Sequence, residues 1–152
     1  MLSNNGSVQT RDGSRYPAAA AWCIDLLPSR VREGKGDKTV GYVNGLLARF
    51  TSGRDGAWAP IIERRMQRLG FDEDLADFVS AHVEMKVATM LIVRGHRLGE
   101  LVINHMPCGS RPDQRAGCHQ VLAPYLPSGY MLVVHGTTQL GLPFSEAYQG
   151  RA

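Results

Sequence analysis

Apolar and polar positions run along this chain in two rhythms, and the switches between them lay out its elements. Residues 1–15 (MLSNNGSVQTRDGSR) carry no periodic apolar signal and read as a flexible leader. Pro17 opens and Pro28 closes an alanine-rich stretch, which predicts a helix over 17–27. After a turn at 34–38, two short runs at 39–44 and 46–51 predict strands. The Asn44-Gly45 pair between them predicts a tight hairpin, and 52–56 (SGRDG) a loop. Residues 60–69 read as a short helix stopped at Gly70, with Arg64, Arg65 and Arg68 on its polar side. From 72 to 94, Leu75, Phe78, Val79, Val83, Val87, Met90 and Leu91 recur every three or four residues. They fit one long helix, or two broken near Ser80. Residues 99–104 (GELVIN) and 130–135 (YMLVVH) predict two more strands, with a short helix at 118–123 before Pro124. Past Gly136 the signals are weak. A hairpin followed by helix, strand, helix, strand predicts an α/β fold, a mixed sheet covered by helices.

Length and composition narrow this further. The chain has 152 residues, 43% of them hydrophobic and 20% charged, enough for one core and too apolar for a disordered tail. The expected organisation is a leader over 1–15 and a single domain over 16–152. No apolar run approaches the ~18–20 residues of a membrane span, so no membrane partner is expected. The net charge of +3 tolerates a polyanionic partner without requiring one. Three cysteines, Cys23, Cys108 and Cys118, cannot all pair in disulfides. Two of them follow a proline with histidines nearby, which favours metal. Cys23, among Trp22, Ile24 and Leu26, reads as a buried apolar residue.

Three pieces carry the candidate chemistry: His82-Val83-Glu84 near a helix start, Pro107-Cys108 after a strand, and Cys118 at the next helix start. Zinc takes imidazole and thiolate ligands, and a catalytic site needs three of them with a fourth position open. His82, Cys108 and Cys118 supply that number. Glu84 is then a carboxylate beside the metal without ligating it, as a proton shuttle requires. Within a regular helix, positions i and i+2 diverge. His82 and Glu84 therefore share a site only at a helix N-terminus, for which Ser80 is the candidate cap. Cys118 at another N-terminus has its thiolate favoured by the dipole, while neighbouring His119 is a rival ligand. Each residue alone has a plain structural reading: a core histidine, a solvated glutamate, two cysteines spaced too widely for the usual motif. Together and in this order they point to one site.

An H-x-E on a helix, then P-C and C across a strand-to-helix loop, resembles the zinc-dependent nucleobase deaminases. More narrowly, the chain resembles the DddA-like DNA cytosine deaminase toxins of bacterial polymorphic toxin systems. The residues run from Thr39-Val40-Gly41-Tyr42 and Phe50-Thr51-Ser52-Gly53 through Ala81-His82-Val83-Glu84, Leu101-Val102-Ile103-Asn104 and Pro107-Cys108. They continue with Gly117-Cys118, Leu126-Pro127-Ser128-Gly129 and Leu132-Val133-Val134-His135. The nine residues between Cys108 and Cys118 depart from the C-x₂-C spacing of most deaminases, and the helical stretch between Ser52 and Ser80 is longer than the family minimum. The resemblance implies a three-layer deaminase sandwich with a Zn2+ site at two helix N-termini. It also implies hydrolysis of cytosine to uracil in DNA, double-stranded by the DddA resemblance and single-stranded in other relatives. Glu84 would carry the proton to N3 and then to the departing ammonia.

Further expectations follow. Asn104 orients the nucleotide with His105 or Met106 packed against it, or else is a strand-end residue in a turn. Tyr42, Asn44, Ser52, Gly53 and Arg54 form the opposite wall. Arg54, Arg64, Arg65, Arg111 and Arg115 are candidate phosphate contacts. As a toxin, the domain would be secreted, act as a monomer in the cytoplasm of a target cell, and have a cognate immunity protein. Two rivals stay open: a deaminase of free nucleosides or RNA, and a non-catalytic, zinc-stabilised nucleic-acid-binding module.

Overall fold

A computed structural model describes residues 6–152. A five-stranded sheet, ordered β4-β3-β5-β6-β7, forms its centre. β3 (Val40–Val43) and β4 (Arg49–Thr51) pair antiparallel, with Gly41 opposite Phe50. β5 (Leu98–Ile103) lies antiparallel to β3 and parallel to β6 (Met131–Thr137). β7 (Pro143–Gln149) closes the far edge antiparallel to β6. Because β5 and β6 are parallel, the chain between them must cross over. That crossover carries the cysteine loop and α4 (Cys118–Tyr125).

Pleating sends alternate residues to opposite faces. Leu101, Ile103, Leu132 and Val134 pack against α1 (Ala59–Arg68), α2 (Glu73–Val79), α3 (Val83–Arg94) and α4 in the main core. Val102 and Tyr42 face the other way, into a smaller cluster with Val8, Tyr16, Ala20 and Cys23. Helices, sheet and an N-terminal layer make the three-layer α/β sandwich. On the face toward α3, Gly41 leaves no room for a side chain: a Cβ would lie 2.8 Å from Val83 Cγ1.

Several expectations need correction. The flexible leader is instead, from Ser7 onward, a hairpin of β1 (Ser7–Gln9) and β2 (Arg15–Pro17); residues 1–5 of that leader lie outside the described residues. Its three-residue strands are too short to show a period, yet Val8 and Tyr16 are buried. The helix over 17–27 is a 3₁₀ helix, Ala18–Leu26. The Asn44-Gly45 hairpin is not a tight two-residue one, since β4 starts only at Arg49 and Leu47 is fully exposed. The helical run over 72–94 does divide, but Ser80 ends α2 rather than capping α3. Its hydroxyl donates to the Asp77 carbonyl, and extended His82 is the residue that precedes α3. Pro124 lies within α4, which runs on to Tyr125. The tail past Gly136 holds most of a long strand pair. No helix among the described residues is long and apolar enough to cross a membrane.

Candidate metal centre and active site

Strand and helix ends converge on one point. The β4–α1 loop reaches the α2–α3 junction, where the Gly53 N–H donates to the Ala81 carbonyl at 2.9 Å. His82 follows in extended conformation at the N-cap of α3, which turns its ring off the helix end. Its Nδ1 lies 3.3 Å from Cys108 Sγ and 3.3 Å from Cys118 Sγ. The three ligand atoms all lie within 4.8 Å of one another. Tetrahedral zinc, with Zn–S about 2.3 Å and Zn–N about 2.0 Å, would set nitrogen and sulfur about 3.5 Å apart. The donor set and its spacing therefore fit a metal ion of that kind, with Nδ1 as the imidazole ligand.

The loop from Cys108 to Cys118 is held at three places. Gln120 accepts from the Gly117 N–H at 2.8 Å and donates to the Gly109 carbonyl at 2.7 Å, pinching the loop shut. Arg111 and Gln114 both donate to Glu33. Arg115 lies over the Phe78 ring, 4.0 Å from its centroid, and that ring meets His82 edge-on at 4.7 Å. At the cluster the Cys118 N–H donates to Cys108 Sγ at 3.2 Å, a bond from the α4 N-terminus that favours a thiolate there. Gly117 explains the Gly-Cys pair: a Cβ on it would fall 2.3 Å from Cys108 Sγ.

Glu84, in the first turn of α3, is buried. Burial raises its pKa, opposed by the charge of His82 and by the contact with the Cys118 thiol. Burial likewise pushes Cys118 up, whereas hydrogen bonding from Cys118 pulls Cys108 down to about 4. Both this pull and the Cys118 N–H bond favour negative charge on Cys108. Burial would lower His82, but its hydrogen bond to Cys108 and the nearby negative groups raise it.

The other expected residues fall in different places. Asn104 is buried and spends its side chain on the backbone: Oδ1 accepts from the Val40 N–H, and Nδ2 donates to the Ser29 and Lys38 carbonyls. It pins the end of β5, matching the strand-end alternative. His105 is half-buried, with its Nδ1 unpartnered, and burial lowers its pKa. Ser52 and Gly53 lie in the loop that touches Ala81, Ser52 accepting from the Thr39 N–H. Arg54, in the same loop, is tied to Glu63 and Asp77. Tyr42 points to the opposite sheet face, its hydroxyl donating to the Leu26 carbonyl. Asn44 lies beyond β3 at the sheet end away from the cysteines, beside Glu100. Both are thereby removed from the wall expected for them.

Lys86 went unread. It is buried, and its Nζ donates to the Thr51 and Gly53 carbonyls at 2.8 Å each and pairs with Asp55 at 2.7 Å. It holds the β4–α1 loop against α3. The available signal was a lysine in the mostly apolar run VEMKVATML.

A mixed sheet with a His/Cys/Cys group at two helix N-termini, and a buried glutamate two residues past the histidine, defines a deaminase-type fold and site. The chain belongs to the SCP1.201-like deaminase family, whose sequence model matches residues 43–152. That match takes in every residue of the cluster and Glu84, and leaves the N-terminal hairpin and the 3₁₀ helix outside. No curated protein matches the chain.

Proposed function

We propose that the protein is a zinc-dependent cytosine deaminase acting on DNA, and that it serves as the toxin domain of a secreted bacterial effector. The observation that carries the deaminase part of this reading is the convergence of His82, Cys108 and Cys118 on one point with the buried Glu84 carboxyl against Cys118; the DNA substrate and toxin role rest on the resemblance. Zinc held by those three residues supplies the Lewis acidity that makes water nucleophilic near neutral pH. Glu84 accepts one proton of the attacking water and delivers it to N3 of the base; it then takes the second proton from the hydroxyl formed on C4 and passes it to the amino group, which leaves as ammonia as the C4 carbonyl forms. A purely structural zinc site closes all four positions with protein ligands. Among the described residues neither His105 nor His119 joins the group, and His119 Nδ1 is engaged by the Tyr148 hydroxyl at 2.8 Å.

The likeness to DddA-like toxins supports duplex DNA, which requires extruding the cytosine from the stack. It also supports a cognate immunity protein in the producing cell and action in the cytoplasm of the target. The test is to incubate the purified protein with matched single- and double-stranded cytosine oligonucleotides and map uracil by sequencing. Uracil is expected with the parent and at least ~100-fold less with Glu84→Ala, both proteins carrying one zinc per chain. Conversion by the Glu84→Ala protein would refute the role given to that carboxylate. Conversion of free cytidine or RNA but not DNA would refute the substrate.

A further inference from the structure

Most of the arginines near the cluster are already spent. Arg54 is bound by Glu63 and Asp77, Arg111 by Glu33 and Asp113, and Arg65 by the Tyr125 carbonyl. Arg64 lines a cleft whose other walls carry Glu63, Glu73, Asp74 and Asp77, a setting that repels phosphate. Two cations at the rim have no carboxylate partner among the described residues. Arg115, exposed on the cysteine loop, lies on Phe78, the ring that touches His82. Lys38 is exposed and lies against the β4–α1 loop, its Nζ 3.4 Å from where a Gly53 Cβ would be; Gly53 in turn bonds to Ala81, the residue before His82.

Resting on the reading of this site as a DNA cytosine deaminase, we infer that Arg115 and Lys38 hold the backbone phosphates flanking the target nucleotide. Its contact with the Phe78 ring holds the Arg115 guanidinium beside His82 while the side chain stays exposed, so its N–H donors can make two parallel bonds to one phosphate. Lys38 is a point charge on a flexible stem and suits a second phosphate whose position varies with sequence. The two cations enter from different loops, so a strand bound by both passes across the cluster. A free nucleoside has no phosphate for either. On that reading these residues hold the polymer's backbone rather than read its bases.

The test uses the full zinc-loaded chain carrying Glu84→Ala, with binding to labelled cytosine oligonucleotides followed by anisotropy across a salt series. Each lost phosphate contact flattens the slope of log K against log salt by about 0.9 for duplex or 0.7 for single strand. That flattening is expected for Arg115→Gln and for Lys38→Gln, and twice over in the double variant; Arg115→Lys keeps the slope. Unchanged slopes in both single variants overturn the inference. With Glu84 intact, Arg115→Gln is expected to raise KM for the oligonucleotide and leave kcat in place. A fall in kcat at constant KM, or loss of zinc, would make Arg115 a prop for His82 through Phe78 and overturn its phosphate role. The deaminase reading is judged separately: a parent that makes no uracil in DNA overturns that reading whatever the slopes.

Discussion

At the scale of single residues, the site depends on what small side chains permit. Gly117 has φ −152°, an extended conformation any residue adopts, so its requirement is purely one of space. A methyl group there meets Cys108 Sγ at 2.3 Å and the Cys108 carbonyl oxygen at 2.8 Å, and backbone cannot swing aside. Gly117→Ala is expected to cost about 1–3 kcal/mol through overpacking and to displace a ligand sulfur. Thermal unfolding should show the lower stability, and metal analysis less than one zinc per chain. His82, Glu84, Cys108 and Cys118 were legible because their chemistry is rare and their order informative. Tyr42 and Asn44 were misplaced for a plain reason: nearness in sequence to a site says nothing about which sheet face or strand end a residue takes. Lys86 was hidden by its type, since lysines are normally solvated and burial shows only in the tertiary structure.

At the scale of elements, helix ends matter more than helix bodies. Asp72 caps α2 through the Leu75 N–H, and Gly95 ends α3 at φ +68°. The β1–β2 turn depends on Asp12, which accepts hydrogen bonds from Thr10, from the Ser14 N–H and hydroxyl, and from the Arg30 N–H. Burial alone would raise the Asp12 pKa, but those bonds overcome it and bring it to about 2 from an ordinary 3.8. A carboxylate with a lowered folded pKa stabilises fully above its unfolded value, and the contribution disappears as pH falls from 3.8 toward 2. Comparing unfolding of the parent and Asp12→Asn across that window should show their difference in stability shrink as the acid protonates. A gap that stays constant would show that Asp12 does not titrate with the hairpin. The long helices and central strands were readable from period. The N-terminal hairpin was not, since three-residue strands leave too few positions for a rhythm to register; the helix over 17–27 was readable from its prolines and alanines, but not its 3₁₀ winding.

At the scale of the whole molecule, the His/Cys/Cys group joins the N-terminus of α3, the start of the β5–β6 crossover and the N-terminus of α4, so an ion there ties together segments far apart in sequence. With the zinc proposed above at 1,000 times its Kd, mass action adds about 4 kcal/mol of stability. For a chain of this size that is roughly 8–16 °C in Tm. Chelation is therefore expected to lower Tm by that order, with recovery on adding zinc and no change for a Cys108→Ser, Cys118→Ser variant. The same Tm with and without chelator would mean that the cluster does not bind the ion tightly. By itself, the sequence determined the His/Cys/Cys group, the neighbouring Glu84 and the helices that present them, because these rest on side-chain chemistry and local periodicity. Only the tertiary structure decided that the nine-residue loop returns Cys118 to Cys108, which face of the sheet Tyr42 takes, that the N-terminal residues form the third layer, and which cations stay unpaired. Those outcomes depend on contacts between segments far apart in the chain, and such contacts leave no periodic trace in it.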